Sequence, residues 1–175
     1  MLTAGDELFS RRGIRAVSVY EVIERSRVAR ATFYRHFPSK ADLVLAFLAR
    51  REQQWTLGLV KAESERLGDT AEERLLAIFD VFDDWFGGDA FEGCSFISVL
   101  LQMGADHPLG SASIGYLENI RAIVREHAEE AGLRDPDGFA RSWHILMKGS
   151  IVSAHSGASR LRPRIRGHPS RPGRR

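Results

Sequence analysis

The side chains best suited to chemistry in this 175-residue sequence are concentrated between residues 30 and 40. Phe33 and Phe37 are four residues apart, so on a helix both face a core. The outer positions then present small, basic, hydroxyl and aromatic groups: Arg30, Ala31, Thr32, Tyr34, Arg35 and His36. Arginine can bond guanine bidentately, threonine can touch a thymine methyl, and tyrosine and histidine suit phosphates. The pattern favours duplex DNA as ligand, although each residue taken alone also fits a solvated helix surface.

Three short helices are expected to position this cluster. Gly13 followed by an apolar residue is typical of a left-handed C-cap, so the first helix should end near Arg12. Ser18 and Glu21 form a capping box that begins the second helix, and Pro38 ends the third. A turn over residues 26–28 joins the second and third helices, which is the layout of a helix-turn-helix. Helical bundles also contain such corners, so the layout alone does not decide the function.

The fourth and fifth helices follow from two further capping boxes. Ser39 with Asp42 begins a long helix that continues towards Leu67, and Thr70 with Glu73 begins the next, which Gly87 and Gly88 end. A shorter apolar piece spans residues 96–103. The apolar period at residues 117–128 indicates another helix, closed by Gly132.

A last helix is expected to begin at Asp135 and Pro136 and to run to about His155. No alternating strand pattern stands out along the chain. The predicted fold class is therefore all-α, with a three-helix head followed by a helical body.

The net charge of +2 is distributed unevenly along the chain. Residues 1–55 carry a net charge of +4, residues 56–159 carry −9, and residues 160–175 carry +7. A basic head on an acidic body suits a protein whose head meets phosphates. Chance clustering is the alternative.

Three regions are expected from these changes in composition. Residues 1–45 form a helix-turn-helix domain, here called the head, and residues 46–157 form a helical effector-binding and dimerisation domain, here called the body. Residues 158–175 are rich in Arg, Pro, Gly and Ser and are expected to be a disordered basic tail. The tail could add sequence-independent affinity for DNA, or have no role.

The sequence favours no catalytic, metal or cofactor site. The six histidines show no metal-ligand spacing, and no phosphate-binding or nucleophile-elbow motif occurs. Adjacent acids such as Asp83 and Asp84 diverge on a helix, so they are expected to be solvated surface. Cys94 is the single cysteine, no apolar run is long enough to span a membrane, and no signal peptide is evident, which together predict a cytoplasmic protein.

Two runs of this sequence closely resemble the TetR (tetracycline-repressor-like) family of bacterial regulators. They are SVYEVI at residues 18–23 and VARATFYRHFPSKADL at residues 28–43. The resemblance covers about residues 2–48. It implies a homodimer whose third helices enter successive major grooves of a near-palindromic operator, and a body that holds a small-molecule effector whose binding releases DNA.

The resemblance also implies roles for individual residues. Arg30, Ala31 and Thr32 would read bases, and Ser18 would place the second helix against a phosphate. The remaining backbone contacts would come from Tyr34, His36 and Lys40.

Three features depart from the family pattern. Arg27 stands where a glycine is usual in the turn, and a non-glycine residue held left-handed there would cost about 1 to 2 kcal/mol. Ala29 replaces the usual Ser or Thr cap of the third helix, which forfeits roughly 1 kcal/mol. One C-terminal helix is evident where two per subunit normally build the dimer, and the Arg-rich tail takes the place of the second.

Aromatic and sulfur-containing side chains in the body could line an apolar effector pocket, with core packing as the default for each. The candidate residues are Phe79, Phe82, Phe86, Cys94, Met103, Tyr116 and Trp143. The predicted function is a DNA-binding transcriptional regulator, a repressor that responds to a small apolar or amphipathic effector. The alternative is a helical ligand-binding or dimerisation module that has lost specific DNA recognition.

Overall fold

The computed structural model describes residues 1–88 and 91–155, and over these residues it is helical without strands. The elements are α1 Leu2–Arg12, α2 Val19–Ser26, α3 Arg30–His36, α4 Lys40–Arg51, a π-helical segment Glu52–Lys61, α5 Ala62–Leu67, α6 Ala71–Gly87, α7 Ser95–Met103, α8 Pro108–Glu130 and α9 Pro136–His155. The predicted all-α class is confirmed. The predicted tail, residues 158–175, lies outside the described residues.

All three predicted capping boxes begin helices. At the start of α2 the Glu21 backbone N–H donates to the Ser18 hydroxyl at 3.2 Å, and the Ser18 backbone N–H donates to the Glu21 carboxylate at 2.7 Å. The boxes at Ser39 and Thr70 have the same reciprocal arrangement. Each box satisfies two backbone N–H groups that would otherwise lack a partner, which fixes where the helix starts.

The C-terminal ends of the helices agree less closely with the C-caps predicted from the sequence. Gly13 has a positive φ of 75°, as expected, but its ψ of 159° is extended, so the predicted left-handed helical C-cap of α1 is wrong in detail. An extended ψ at positive φ is open essentially to glycine alone. Gly132 has φ 70°, and the Leu133 N–H donates to the Ala128 carbonyl at 3.0 Å, which is the predicted closure of α8.

Helix α8 begins about nine residues before the apolar period indicated. Its N-cap is His107, whose Nδ1 accepts from the Leu109 N–H at 3.1 Å, and Pro108 occupies the first helical position. Gly110, Ser113 and their neighbours dilute the apolar pattern of this first part. The cap is therefore a histidine ring, which the usual Ser, Thr, Asp and Asn signal does not include.

The long fourth helix continues to Leu67 as predicted, but its middle is π-helical. Over Glu52–Lys61 the backbone hydrogen bonds run from residue i+5 to residue i, before the α-helix resumes at Ala62. The apolar period does not reveal this change, because the segment buries Thr56 and Val60 on the same side as the preceding α-helical part. π-helical turns are frequent at functional sites.

Two parts of one core hold the helices together. In the head, Val17, Val22, Phe33 and Leu43 are each fully buried, and Phe47, which follows on α4, is 1% exposed. In the body, α7 and α9 both pack on α8, and α5 packs on α6. Helix α4 contacts α1 on one side and α7 and α8 on the other, so it joins the two parts. No helix of the described residues is long and apolar enough to cross a membrane.

Arg27, the C-cap of α2, is held left-handed with φ 54° and ψ 37°. Replacement by glycine should raise the free energy of unfolding by about 0.5 to 1 kcal/mol, because the relieved strain exceeds the extra entropy of glycine in the unfolded chain. Urea denaturation of Arg27→Gly against the parent measures this. The control is Arg35→Gly, within α3, which should lower the stability by about 1 kcal/mol. Equal effects of the two substitutions would contradict the strain at Arg27.

Candidate nucleic-acid interface

Helix α3 is oriented by one fully buried side chain. Phe33 is 0% exposed, and its ring packs at 5.8 Å from Phe37 and at 5.4 Å, edge to face, from Tyr34. Neither end of this seven-residue helix has a side-chain cap, and the N-cap position is Ala29. The helix therefore depends on packing of its aromatic face, because so short a helix is marginal by itself.

Burial of Phe33 places the predicted reading residues on the outer face. Arg30 and Ala31 are exposed, and Thr32 is half-buried between them and the core. Tyr34 is 40% exposed, and the Arg30 guanidinium lies 5.6 Å from the centroid of its ring, in cation–π contact. His36 is also exposed. The structure thus brings Arg30 and Tyr34 into contact and leaves the other predicted residues of α3 accessible from the solvent side.

This surface carries positive charge that the head does not neutralise. Arg30, Arg35 and Lys40 form no ion pair with any described residue. Lys40 is half-buried at the start of α4, where burial lowers the pKa of its ammonium and the charge of Glu21 acts in the opposite direction. Uncompensated cations beside an exposed helix are the expected signature of a phosphate-binding surface.

Ser18 has a structural task at the edge of this surface. Its hydroxyl caps α2 and also donates to the Glu21 carboxylate at 2.9 Å, while Arg12 donates to the other carboxylate oxygen at 2.6 Å. The hydrogen bond from the Ser18 backbone N–H, and to a smaller extent the one from Arg12, lower the pKa of Glu21 to about 2. The network fixes the first turn of α2, and with it the position of Ser18, which the sequence nominated for a phosphate.

Polar contacts between distant segments connect the head to the body. Arg51, at the end of α4, pairs with Asp6 at 2.7 Å and donates to the Ser10 hydroxyl at 2.7 Å, so it ties α4 to α1. Arg11 pairs with Glu92 at 3.2 Å, just before α7. A backbone contact adds to these, because the Arg15 N–H donates to Gln102 Oε1 at 3.1 Å. Sequence analysis did not find these contacts.

The predicted effector-pocket residues do not line one common space. Phe79, Phe82, Phe86 and Trp143 line a groove of about 190 Å³ between α6 and α9. This groove is open, and Phe79 is half-exposed in it.

Cys94 instead lines a cavity of about 50 Å³ at the start of α7, together with Arg51, Trp55, Trp85 and Phe96. It also lines an open space of about 430 Å³ between the end of α1 and α7, with Gly13 and Gln102. Burial raises the pKa of the Cys94 thiol, which keeps the thiol protonated. Tyr116 stacks on Phe96 with ring centroids 5.1 Å apart, so it lies behind the cavity wall. Met103 is half-buried at the end of α7 and lines none of these spaces.

Sequence analysis missed a buried polar cluster on the π-helical segment. Glu52 is 6% exposed and accepts from Asn119 Nδ2 at 2.9 Å, and Thr56 is 0% exposed. Glu52 Oε2 and Thr56 Oγ1 are buried without a hydrogen-bond partner among the described residues. A signal was available, because Glu52 and Thr56 follow Leu48 at four-residue steps, which puts two polar residues on a buried stripe.

Comparison with known proteins gives this geometry a context. Residues 1–47 match the family model for bacterial regulatory proteins of the tetR family. The chain is 32% identical over 90 residues to the HTH-type transcriptional activator FasR of Mycolicibacterium smegmatis, a match that spans 51% of this chain and 40% of that protein. It is 27% identical over 164 residues to the transcriptional regulator AcuR of Cereibacter sphaeroides, spanning 88% of this chain and 74% of the relative.

A solved structure agrees over nearly the whole chain. A TetR-type transcriptional regulator from Streptomyces avermitilis superposes with a TM-score of 0.82 at 26% identity, covering 94% of this chain and 89% of that one. The likeness therefore includes the body as well as the head.

The capping network of α2 makes a prediction about acid stability. Glu21 has a pKa of about 2 in the fold, below its ordinary value of 4.5, so its contribution to stability is complete above pH 4.5 and is lost as the pH falls through 2. Glu21→Gln should lack this part of the acid dependence. Denaturant titrations of both proteins between these pH values measure the difference. Glu24→Gln, an exposed carboxylate on the same helix, should follow the parent, and identical curves for Glu21→Gln would contradict the network.

Proposed function

The chain belongs to the TetR family of bacterial regulatory proteins, and we propose that it is a cytoplasmic, ligand-responsive repressor that binds a near-palindromic operator as a homodimer. The observation that carries the DNA-binding part is the outer face of α3. Arg30 and Arg35 are exposed there and have no ion-pair partner among the described residues, and Phe33 fixes the opposite side in the core. A helix that is basic outside and anchored inside fits the major groove.

In this proposal each residue of the face has a role. Arg30, Ala31 and Thr32 read base edges from the start of α3, where a small alanine lets the backbone approach closely. Tyr34, His36 and Lys40 contact phosphates, and Ser18 sets the start of α2 against the backbone. Residues 1–45 act as the reading head, and residues 46–157 as the sensing and dimerising body.

The outer sides of the last two helices support the dimer. Ile145, Leu146 and Val152 on α9 are 66%, 67% and 56% exposed, and Ile114 on the neighbouring α8 is 38% exposed. Ile145 and Val152 are seven residues apart and therefore share one side of α9, and exposed apolar side chains on one side of a helix are typical of an interaction site. A second copy on this face would place two α3 helices on one duplex, as a two-fold operator requires.

Effector sensing is assigned to the body, because it holds the aromatic groove and the cavity beside Cys94. Arg51 lines that cavity and also pairs with Asp6 of α1, so a ligand there could move the head. Repression is the proposed direction. The relative from Mycolicibacterium smegmatis is named an activator, so a promoter-reporter assay, with and without the protein, is the test of direction.

Selection from a random duplex pool at near-physiological salt tests DNA recognition. We expect an enriched two-fold site, to which Arg30→Ala binds with about 1 to 3 kcal/mol less free energy and relaxed preference at one base position. Lys40→Ala should bind all sequences more weakly and reduce the salt slope by about 0.9. Arg141→Ala, an exposed arginine on α9, controls for net charge and should bind as the parent does. A folded protein that enriches no site would favour the module without specific DNA recognition.

Sedimentation equilibrium tests the dimer face. Leu146→Glu should raise the dimer dissociation constant at least about tenfold, because it places a carboxylate in an apolar interface. Leu67→Glu, a half-exposed leucine at the end of α5, is the matched control and should leave the constant unchanged. A parent protein that sediments as a monomer, or equal effects of both variants, would reject this face.

A further inference from the structure

Two hydrogen-bond donors near the junction of α4 and the π-helical segment are buried without an acceptor. Arg51 bonds Asp6 and Ser10 through Nη2, but its Nε has no partner among the described residues. The indole Nε1 of Trp55, four residues further along, is in the same condition. Burying an N–H group without an acceptor costs free energy, so both groups call for an acceptor that the described residues do not supply.

Both donors belong to side chains that line the cavity beside Cys94. Another part of its wall is Ser95, the first residue of the nine-residue helix α7. The first N–H groups of a helix and its dipole place partial positive charge at that end. The Cys94 thiol adds no negative charge, because burial raises its pKa and keeps it protonated. Three different sources of N–H groups therefore border one space.

The charged groups around the cavity leave these N–H groups as the open binding capacity. Glu92 is the one carboxylate on the wall among the described residues, and Arg11 pairs with it at 3.2 Å. Arg51 is likewise paired with Asp6 at 2.7 Å. An ammonium cannot satisfy an N–H donor, whereas an oxygen acceptor can. A guanidinium N–H beside a helix N-terminus favours an acceptor that carries negative charge.

The volume of the cavity limits the ligand to a few atoms. A single water molecule needs about 10 to 15 Å³ of such space, and the cavity measures about 50 Å³. It therefore holds about four non-hydrogen atoms, which is more than a halide ion fills and less than a long-chain or aromatic effector needs. The ring of Trp55, packed 4.8 Å from that of Trp85, supplies an apolar wall for a methyl group.

We propose that this cavity binds a small monocarboxylate of the size of acetate, whose oxygens accept from Arg51 Nε and Trp55 Nε1. The inference rests on the proposed role of the body as an effector sensor, and it names the chemical class of the effector. Ser10 of α1 lines the same cavity and accepts from Arg51 at 2.7 Å. A bound carboxylate thus shares its guanidinium with the contact that ties α4 to α1, which connects the site to the head.

The first test replaces sodium chloride stepwise by sodium acetate, with the full chain at neutral pH and constant ionic strength. Tryptophan fluorescence and the melting temperature report binding, and we expect a saturable change and a rise in the melting temperature. Sodium butyrate, which is two carbons longer, should bind at least about tenfold more weakly, because it overfills the cavity. Ethylammonium chloride should not bind. No saturable change with acetate, tighter binding of butyrate than of acetate, or saturable binding of ethylammonium would overturn the proposal.

Variants of the two donors give the second criterion. Trp55→Phe removes the indole N–H and keeps an aromatic ring, and it should weaken acetate binding about tenfold, since a hydrogen bond to a charged group is lost. Arg51→Met should weaken it at least as much. Gln53→Met, which removes an exposed amide from the same segment, is the matched control and should bind as the parent does. Unchanged acetate affinity in both donor variants would overturn the site.

Asp6→Asn separates the proposed site from the ion pair that Arg51 also makes. This variant weakens the pair but leaves Arg51 Nε in place, so it should bind acetate at least as tightly as the parent. A loss of acetate binding equal to that of Arg51→Met would reject the role of Nε and leave only the contact between α4 and α1. Circular dichroism confirms that each variant is folded.

This outcome separates from that of the proposed function. Operator selection without acetate binding would remove the carboxylate site and leave DNA regulation standing. Acetate binding without operator selection would keep the site and reject the proposed DNA reader.

Discussion

The surface proposed to meet DNA depends on the burial of Phe33. Helix α3 has seven residues and no side-chain cap, so its own hydrogen bonds cannot hold it. Phe33 at 0% exposure, with Phe37 and Tyr34 packed against its ring, fixes both the tilt of the helix and the side that faces outward. The other helices of the head contribute to the same core, with Phe9 from α1, Val22 from α2 and Leu43 from α4.

Helix α4 extends the same constraint into the body. Leu43 and Phe47 belong to the core of the head, and the π-helical continuation buries Thr56 and Val60 further along. A change in the body that shifts this helix must therefore also shift the wall against which the head packs. Arg51 stands at the junction and pairs with Asp6, so the connection is electrostatic as well as apolar.

The body combines a well-packed core with polar groups that the fold leaves unpaired. Aromatic rings of α6 and α9 line an open groove, whereas Cys94 borders a small cavity and a larger space between α1 and α7, so the predicted pocket residues are separated. The π-helical segment buries Glu52 Oε2 and Thr56 Oγ1 without a partner among the described residues. A buried polar group without a hydrogen bond is destabilising, so these positions call for a partner such as water or an ion.

The sequence by itself determined the starts of α2, α4 and α6 and the identity of the outer face of α3, whereas the start of α8 at the His107 cap was missed. Ser18 with Glu21 acts over three residues, so the start of α2 is encoded locally. The four-residue spacing of Phe33 and Phe37 encodes which side of α3 turns inward, while the helix itself is held by packing. Tertiary structure alone decided that Glu52 meets Asn119, 67 residues away, and that Arg51 meets Asp6. It also placed the aromatic residues of the predicted pocket along separate spaces, and it introduced the π-helical segment Glu52–Lys61. These features depend on the distances and angles between packed helices, which no local pattern of residue types specifies.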